Sequence, residues 1–183
     1  MEKVPSENDI VARANAVMRR LTHARLSVIT AESCSGGLVC AVLSQAEGAG
    51  SSLQGGFIAY TKQQKEMSLG VSAALLAEVG SVAPEVARLM AEGALARSPA
   101  DIALVLTGVV GPAEDEDGNP VGRVVFACGT REEAIGAETK EFGDIGPEDL
   151  RRLVVMHSLE LLEDLLRPGQ VNLLSDQLFL SGL

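Results

Sequence analysis

The 183-residue chain contains no tryptophan, one tyrosine and four phenylalanines. A domain so short of aromatics must fill its core with Ala, Val and Leu, which suits close packing of helices on a sheet. Histidine is nearly absent: His23 and His157 stand alone. The three cysteines, Cys34, Cys40 and Cys128, lack metal-ligand spacing. A usual zinc site is therefore excluded, no metal or cofactor is expected, and the cysteines read as free thiols of a reducing cytoplasm. Positive charge is scarce as well, with 15 Lys and Arg against 25 Asp and Glu and a formal net charge of -10. Nucleic acid needs a basic footprint, so it is not an expected partner, and an anionic membrane surface is disfavoured. No signal peptide is expected, and no apolar run approaches the roughly 20 residues of a membrane-spanning helix.

What is present reads as one domain over residues 1–169 followed by an apolar tail, 170–183. Apolar residues at Ile10, Ala14, Val17, Met18 and Leu21 mark a helix over about Glu7–Leu21, which His23 helps to end. A strand is expected over Arg25–Thr30, a helix over Gly36–Gln45 and a second strand over Gly55–Tyr60. Thr61 can cap the next helix, a short one follows at Ser72–Val79, and Pro84 opens an Ala-rich helix to Arg97. Ile102–Leu106 is an uninterrupted apolar run, as in a strand buried on both faces. Val121–Cys128 and Ala134–Phe142 read as an antiparallel hairpin. A last helix, Pro147–Leu166, carries His157 on its apolar face as a satisfied core residue, and Pro168-Gly169 stops it. The tail keeps Leu173, Leu174, Leu178, Phe179 and Leu180. Such residues are expected to dock on the domain or on a neighbouring subunit, as in a homo-oligomer. The fold class is α/β, a three-layer α/β/α sandwich around a mixed sheet of about five strands.

Chemistry gathers at three strand ends: the turn Thr30-Ala31-Glu32-Ser33-Cys34-Ser35-Gly36-Gly37, the Tyr60…Lys65 segment and the loop Thr107-Gly108-Val109-Val110-Gly111-Pro112. Ligands of open α/β sheets collect at such ends. A strand running through a small polar turn into a helix sets hydroxyls beside unpaired backbone N–H groups. That arrangement can hold an anion or an acyl-transfer oxyanion; equally, Ser33 or Ser35 can simply cap the helix. With no histidine available, a lysine made neutral by burial can serve as base, pairing Lys65 with a serine; Lys62 is the rival. Cys34 is a second candidate nucleophile, without a partner to favour its thiolate and expected to face the interior.

Taken in order, the turn at residues 30–37, Gly56-Phe57-Ile58-Ala59-Tyr60 with Lys65 and Leu69-Gly70-Val71, Val82-Ala83-Pro84-Glu85-Val86-Ala87, residues 107–112 and Pro120-Val121-Gly122 resemble the CinA C-terminal domain family over about residues 8–166. Its stand-alone members include nicotinamide-nucleotide amidohydrolases, and its larger members carry an additional N-terminal domain. The resemblance implies an α/β/α fold and metal-free deamidation of nicotinamide mononucleotide to nicotinate mononucleotide and ammonia. It implies Ser33 as nucleophile, Lys65 as base and Tyr60 as the active-site tyrosine. The small-molecule substrate is expected to meet Glu32, Cys34, Ser35, Gly36, Gly37, Thr107, Gly108 and Gly111.

The chain also departs from that family. Where the family continues from Gly-Pro with glycines and then Lys-Pro-Val-Gly, this sequence has Ala113-Glu114-Asp115-Glu116-Asp117-Gly118-Asn119-Pro120-Val121-Gly122. Ile145 replaces the arginine of a Gly-Asp-Arg before the last helix. Gained carboxylates and lost cations make a poor setting for a phosphate; an acidic loop turned out to solvent is the alternative. Two readings follow: an amidohydrolase, or a catalytically silent or re-specialised domain that binds a nucleotide or a protein.

Overall fold

The computed structural model describes residues 3–167, so the expected stop at Pro168-Gly169 and the apolar tail lie outside the described residues. Five strands, β1 (Val28–Glu32), β2 (Leu53–Ile58), β3 (Ile102–Gly108), β4 (Arg123–Thr130) and β5 (Gly136–Glu141), form one sheet in the order β2-β1-β3-β4-β5. β2, β1 and β3 run parallel, and β4 and β5 are antiparallel additions at one side. Seven helices complete the described fold: α1 (Glu7–Ala24), α2 (Leu38–Ser44), α3 (Ala49–Ser52), α4 (Lys62–Leu69), α5 (Ala73–Val79), α6 (Pro84–Ala96) and α7 (Pro147–Leu165). No described helix is long and apolar enough to cross a membrane.

The apolar run of β3 divides its side chains between two cores, because successive residues face opposite sides of a strand. Ile102, Leu104 and Leu106 join Met18, Leu21, Phe126, Leu150 and Leu159 beneath α1 and α7. Ala103 and Val105 face the other side and meet Ala87, Met90, Ala91 and Ala94 of α6. The small residues on that side let α6 approach closely, and Gly93 extends the approach to α4. A Cβ built on Gly93 would lie 1.9 Å from the Leu69 carbonyl oxygen, so α4 can rest there only against a bare backbone. This contact fixes the helix that carries Lys62 and Lys65.

The elements match the expected order, with displaced ends. β1 begins three residues later than Arg25 and continues past the expected end at Thr30 to Glu32, so Glu32 is strand rather than turn. Arg25 itself adopts a left-handed conformation (φ 56°) that ends α1 after His23. β2 lies earlier than expected, ending at Ile58, and leaves Ala59 and Tyr60 free to turn toward the sheet's carboxyl end. Thr61 caps α4 as expected, accepting from the Gln64 N–H at 3.1 Å. His157 is partly buried on α7, packed edge-on to Phe126 with centroids 4.7 Å apart, and its Nε2 meets Glu138. It has no part in the site at the strand ends.

Candidate active site

Parallel pairing brings the carboxyl ends of β1, β2 and β3 together. Glu32 stands opposite both Ile58 and Leu106, so the residues that follow each strand emerge side by side. The Ser33 N–H donates to the Leu106 carbonyl at 3.0 Å and the Ala59 N–H to the Glu32 carbonyl at 2.8 Å, continuing both ladders one step into the turn. Ser33 is thereby held at the mouth of a cavity of about 480 Å³, a volume suited to a small-molecule ligand.

α4 delivers the partner. Lys65 and Leu69, four residues apart, occupy its inward face, and Lys65 is only 1% exposed. Its Nζ donates to Ser33 Oγ at 3.0 Å and to the Ala59 carbonyl at 3.1 Å. Ser33 Oγ reaches the Tyr60 carbonyl at 3.4 Å. Burial, chiefly, and then the nearby Lys62 ammonium bring the Lys65 pKa down from 10.5 to about 8. At neutral pH about one molecule in ten then carries the amine form, whose lone pair can accept the Ser33 proton. With Lys65 charged, Ser33 accepts from Nζ and donates to Tyr60; with Lys65 neutral, the Ser33–Lys65 bond can reverse.

Cys34 faces inward as expected. Burial pushes its thiol up to about 12, so it stays protonated and is a poor nucleophile. Cys34, Gly108 and Gly111 line the cavity with Ser33 and Tyr60. Tyr60 is 65% exposed at the rim; its carbonyl rather than its ring serves Ser33, and among the described residues its hydroxyl has no hydrogen-bond partner.

The other expected substrate contacts lie away from the cavity lining. Glu32 is fully buried, and its carboxylate accepts from Thr30 Oγ1, Ser35 Oγ and the backbone N–H groups of Val39 and Cys40. It closes the first turn of α2 from inside the protein, and Ser35 supports it. Thr107 is also fully buried and donates to the Ser81 carbonyl. Gly36 and Gly37 supply positive φ angles, 64° and 98°, that bend the chain into α2, and they do not line the cavity. The Gly36 N–H is taken by the Ser33 carbonyl at 3.0 Å. Among the described residues, the Cys34 and Ser35 amides have no such oxygen acceptor and remain as candidate oxyanion donors.

The acidic segment does not turn away. Glu114, Asp115 and Glu116 line the same cavity as Ser33. Lys62 Nζ pairs with Asp117 at 2.6 Å and Glu116 at 3.0 Å, so the rival lysine is an ion-pair partner of the loop. These carboxylates raise its pKa. Asp115 is spent inside the loop, accepting from the N–H groups of Asp117 and Asn119 and from Asn119 Nδ2. Asn119, standing where the family pattern has lysine, receives Arg123 Nη1 at 3.2 Å. Nothing in the local sequence signalled that this loop would reach back to α4 and to Ser81.

The family model for the CinA C-terminal domain matches residues 11–166. A putative competence-damage inducible protein of Caldicellulosiruptor bescii is 41% identical over 128 residues, covering 70% of this chain and 31% of that protein. A CinA-like protein of Geobacter sulfurreducens is 38% identical over 139 residues, covering 76% and 33%. The chain thus spans about a third of the length of the curated relatives it matches. Among solved structures, a competence/damage inducible protein from Agrobacterium tumefaciens superposes with a TM-score of 0.84 at 35% identity, covering 91% of this chain and 100% of that one. A CinA superfamily protein from Escherichia coli gives 0.82 at 32% identity, covering 90% and 94%.

Proposed function

The chain belongs to the CinA C-terminal domain family, and we propose on that premise that it is an amidohydrolase acting on a linear carboxamide through Ser33 and Lys65. One observation carries the reading: a lysine 1% exposed, with its pKa lowered to about 8, whose Nζ stands 3.0 Å from the hydroxyl of a serine that is also buried. A lysine placed only for structure has no need of a partner at which a proton can be exchanged.

In this proposal Ser33 Oγ attacks the carboxamide carbon as its proton passes to Lys65 Nζ. The Cys34 and Ser35 amides receive the developing oxyanion, a contribution of about 3–4 kcal/mol per donor in comparable sites. Lys65 returns the proton to the amide nitrogen, the C–N bond breaks and ammonia departs, leaving an ester on Ser33. Water then attacks that ester with Lys65 again as base, and the carboxylate product leaves.

The family resemblance makes nicotinamide mononucleotide the first substrate to test. Purified protein should release ammonia from it or from a related carboxamide; silence across nicotinamide mononucleotide, nicotinamide riboside and simple carboxamides overturns the hydrolase reading. A second reading, a re-specialised or catalytically silent binding domain, draws support from the acidic residues that line the same cavity as Ser33. Ligand-induced thermal stabilisation without ammonia release would favour it.

A further inference from the structure

The cavity beside Ser33 has a wall that the proposed chemistry does not use. Glu114, Asp115 and Glu116 line it, and among the described residues the basic side chain lining it is Lys62. That ammonium is already held by Asp117 and Glu116. The hold is built into the fold, because Asp117 also accepts the Ser81 N–H at 3.0 Å. Gly80 stands behind it, where a Cβ would lie 2.8 Å from Asp117 Oδ2. Asp115 is occupied by Asn119 and two loop amides. Glu114 is different: it is exposed at the cavity, and among the described residues its carboxylate meets no cation and no donor.

A phosphate entering here would stand against Glu114 and Glu116 and would have to draw Lys62 away from two carboxylates already in contact with it. Like charges confined in one cleft repel strongly, and low-dielectric walls focus the effect. A fixed positive charge meets the reverse situation. Glu114 offers an unspent carboxylate, and Tyr60, a residue 65% exposed that lines the same cavity, supplies an aromatic ring on which a cation can rest.

We propose that this site takes a carboxamide borne on a permanently cationic, phosphate-free molecule, with Glu114 as the specificity-determining residue and the Tyr60 ring as the surface on which the cation lies. The proposal rests on the reading of Ser33 and Lys65 as an amide-hydrolysing pair and adds to it the charge of the substrate. Lys62 is then not a phosphate anchor but the fixed end of the loop that presents Glu114.

Titration calorimetry on the wild-type protein and on Glu114→Gln and Glu114→Lys tests it, with two probes that share one aromatic carboxamide. The probes are 1-methylnicotinamide, a cation without phosphate, and nicotinamide mononucleotide, the same ring bearing a phosphate. The wild type should bind the cation about tenfold tighter at low salt, and raising ionic strength should weaken the cation and spare the mononucleotide. Glu114→Gln should narrow the preference, and Glu114→Lys should erase or reverse it. Tighter binding of the mononucleotide by the wild type, binding of neither probe at millimolar concentration, or a ratio indifferent to Glu114→Lys overturns the proposal. Because binding is the readout, the two readings fail separately. A protein that prefers the cation yet releases no ammonia loses the hydrolase reading and keeps this one.

Discussion

Lys62 and Lys65 stand one turn apart on the eight-residue helix α4, and the fold gives them opposite properties. Lys65 shares the inward face with Leu69, is buried, and touches a hydroxyl and a carbonyl but no carboxylate. Burial lowers its pKa to about 8. Lys62 lies at the half-exposed end of the helix between Glu116 and Asp117, which raise its pKa. The difference is set by what each ammonium gains for the water it loses. Lys62 exchanges water for two anions; Lys65 exchanges it for neutral dipoles and so holds its proton less firmly. Only the second exchange yields a base near neutral pH.

Removing each amine in turn and following ammonia release should separate the two lysines most strongly. Ser33→Ala and Lys65→Met should each lower kcat/KM for the best carboxamide by about 10³–10⁴-fold, the scale of losing a nucleophile or its base. Lys62→Met should change it by less than about tenfold, since Lys62 touches neither Ser33 nor the expected oxyanion donors. Equal losses at Lys62 and Lys65, or a Lys62 loss alone, would reverse the assignment.

Much of this contrast could be read before the fold was known. Thr61 as a cap placed Lys65 early in a helix, while its inward face shared with Leu69 came only from the fold. The order of strands followed from short apolar runs such as Ile102–Leu106, whose burial on both faces now appears as a division between two cores. Legibility ended where residues distant in sequence meet. Glu32 carried the chemistry of a ligand contact in a polar motif, yet its carboxylate is consumed by α2 and Ser35, an internal use that no local pattern announces. The loop at 113–119 read as a turn with surplus charge. Only the contacts of Asp117 with Lys62 and Ser81, 55 and 36 residues away, bring Glu114 and Glu116 to the cavity. Strand ends were missed by two or three residues for a related reason. Thr30 and Glu32 are polar residues inside a strand, made tolerable by hydrogen bonds to each other and to the next helix.

A second test separates the lysines through stability. The folded-state pKa of Lys65 lies below its unfolded value, so the unfolded chain binds more protons between about pH 8 and 10.5, and stability rises with pH across that window. The shift from 10.5 to about 8 corresponds to about 3 kcal/mol of penalty carried at pH 7. Lys65→Met removes that penalty together with two hydrogen bonds worth about 1 kcal/mol each. The variant should therefore be about 1 kcal/mol more stable than wild type by urea denaturation at pH 7, and less stable by pH 10. A variant that is less stable at pH 7 by several kcal/mol would mean that the buried ammonium is a structural requirement rather than a strained functional group.

The smallest effect is expected at the partner of Lys62. Asp117→Asn keeps an oxygen for the Ser81 N–H and removes only the charge facing Lys62, a pair whose side chains are 23% and 30% exposed. Partly exposed pairs contribute about 0–1 kcal/mol, so the loss at pH 7 should not exceed about 1 kcal/mol. Its pH dependence runs opposite to that of Lys65. The Asp117 pKa is lowered, chiefly by its hydrogen bond from Lys62, so its contribution is present at neutral pH and disappears as pH falls through the depressed value. The Lys62 pKa is raised, so that side of the pair is lost only as pH climbs through the ordinary lysine range and above. Wild type and Asp117→Asn should thus differ by a small, nearly constant amount over mid-range pH, with denaturation curves converging toward both extremes. Wild type and Lys65→Met should instead cross between neutral pH and pH 10. If Asp117→Asn proved as destabilising as a core substitution, about 3 kcal/mol or more, the Lys62–Asp117 contact would belong to the buried interior of the fold. The two lysines would then no longer represent two different exchanges with solvent.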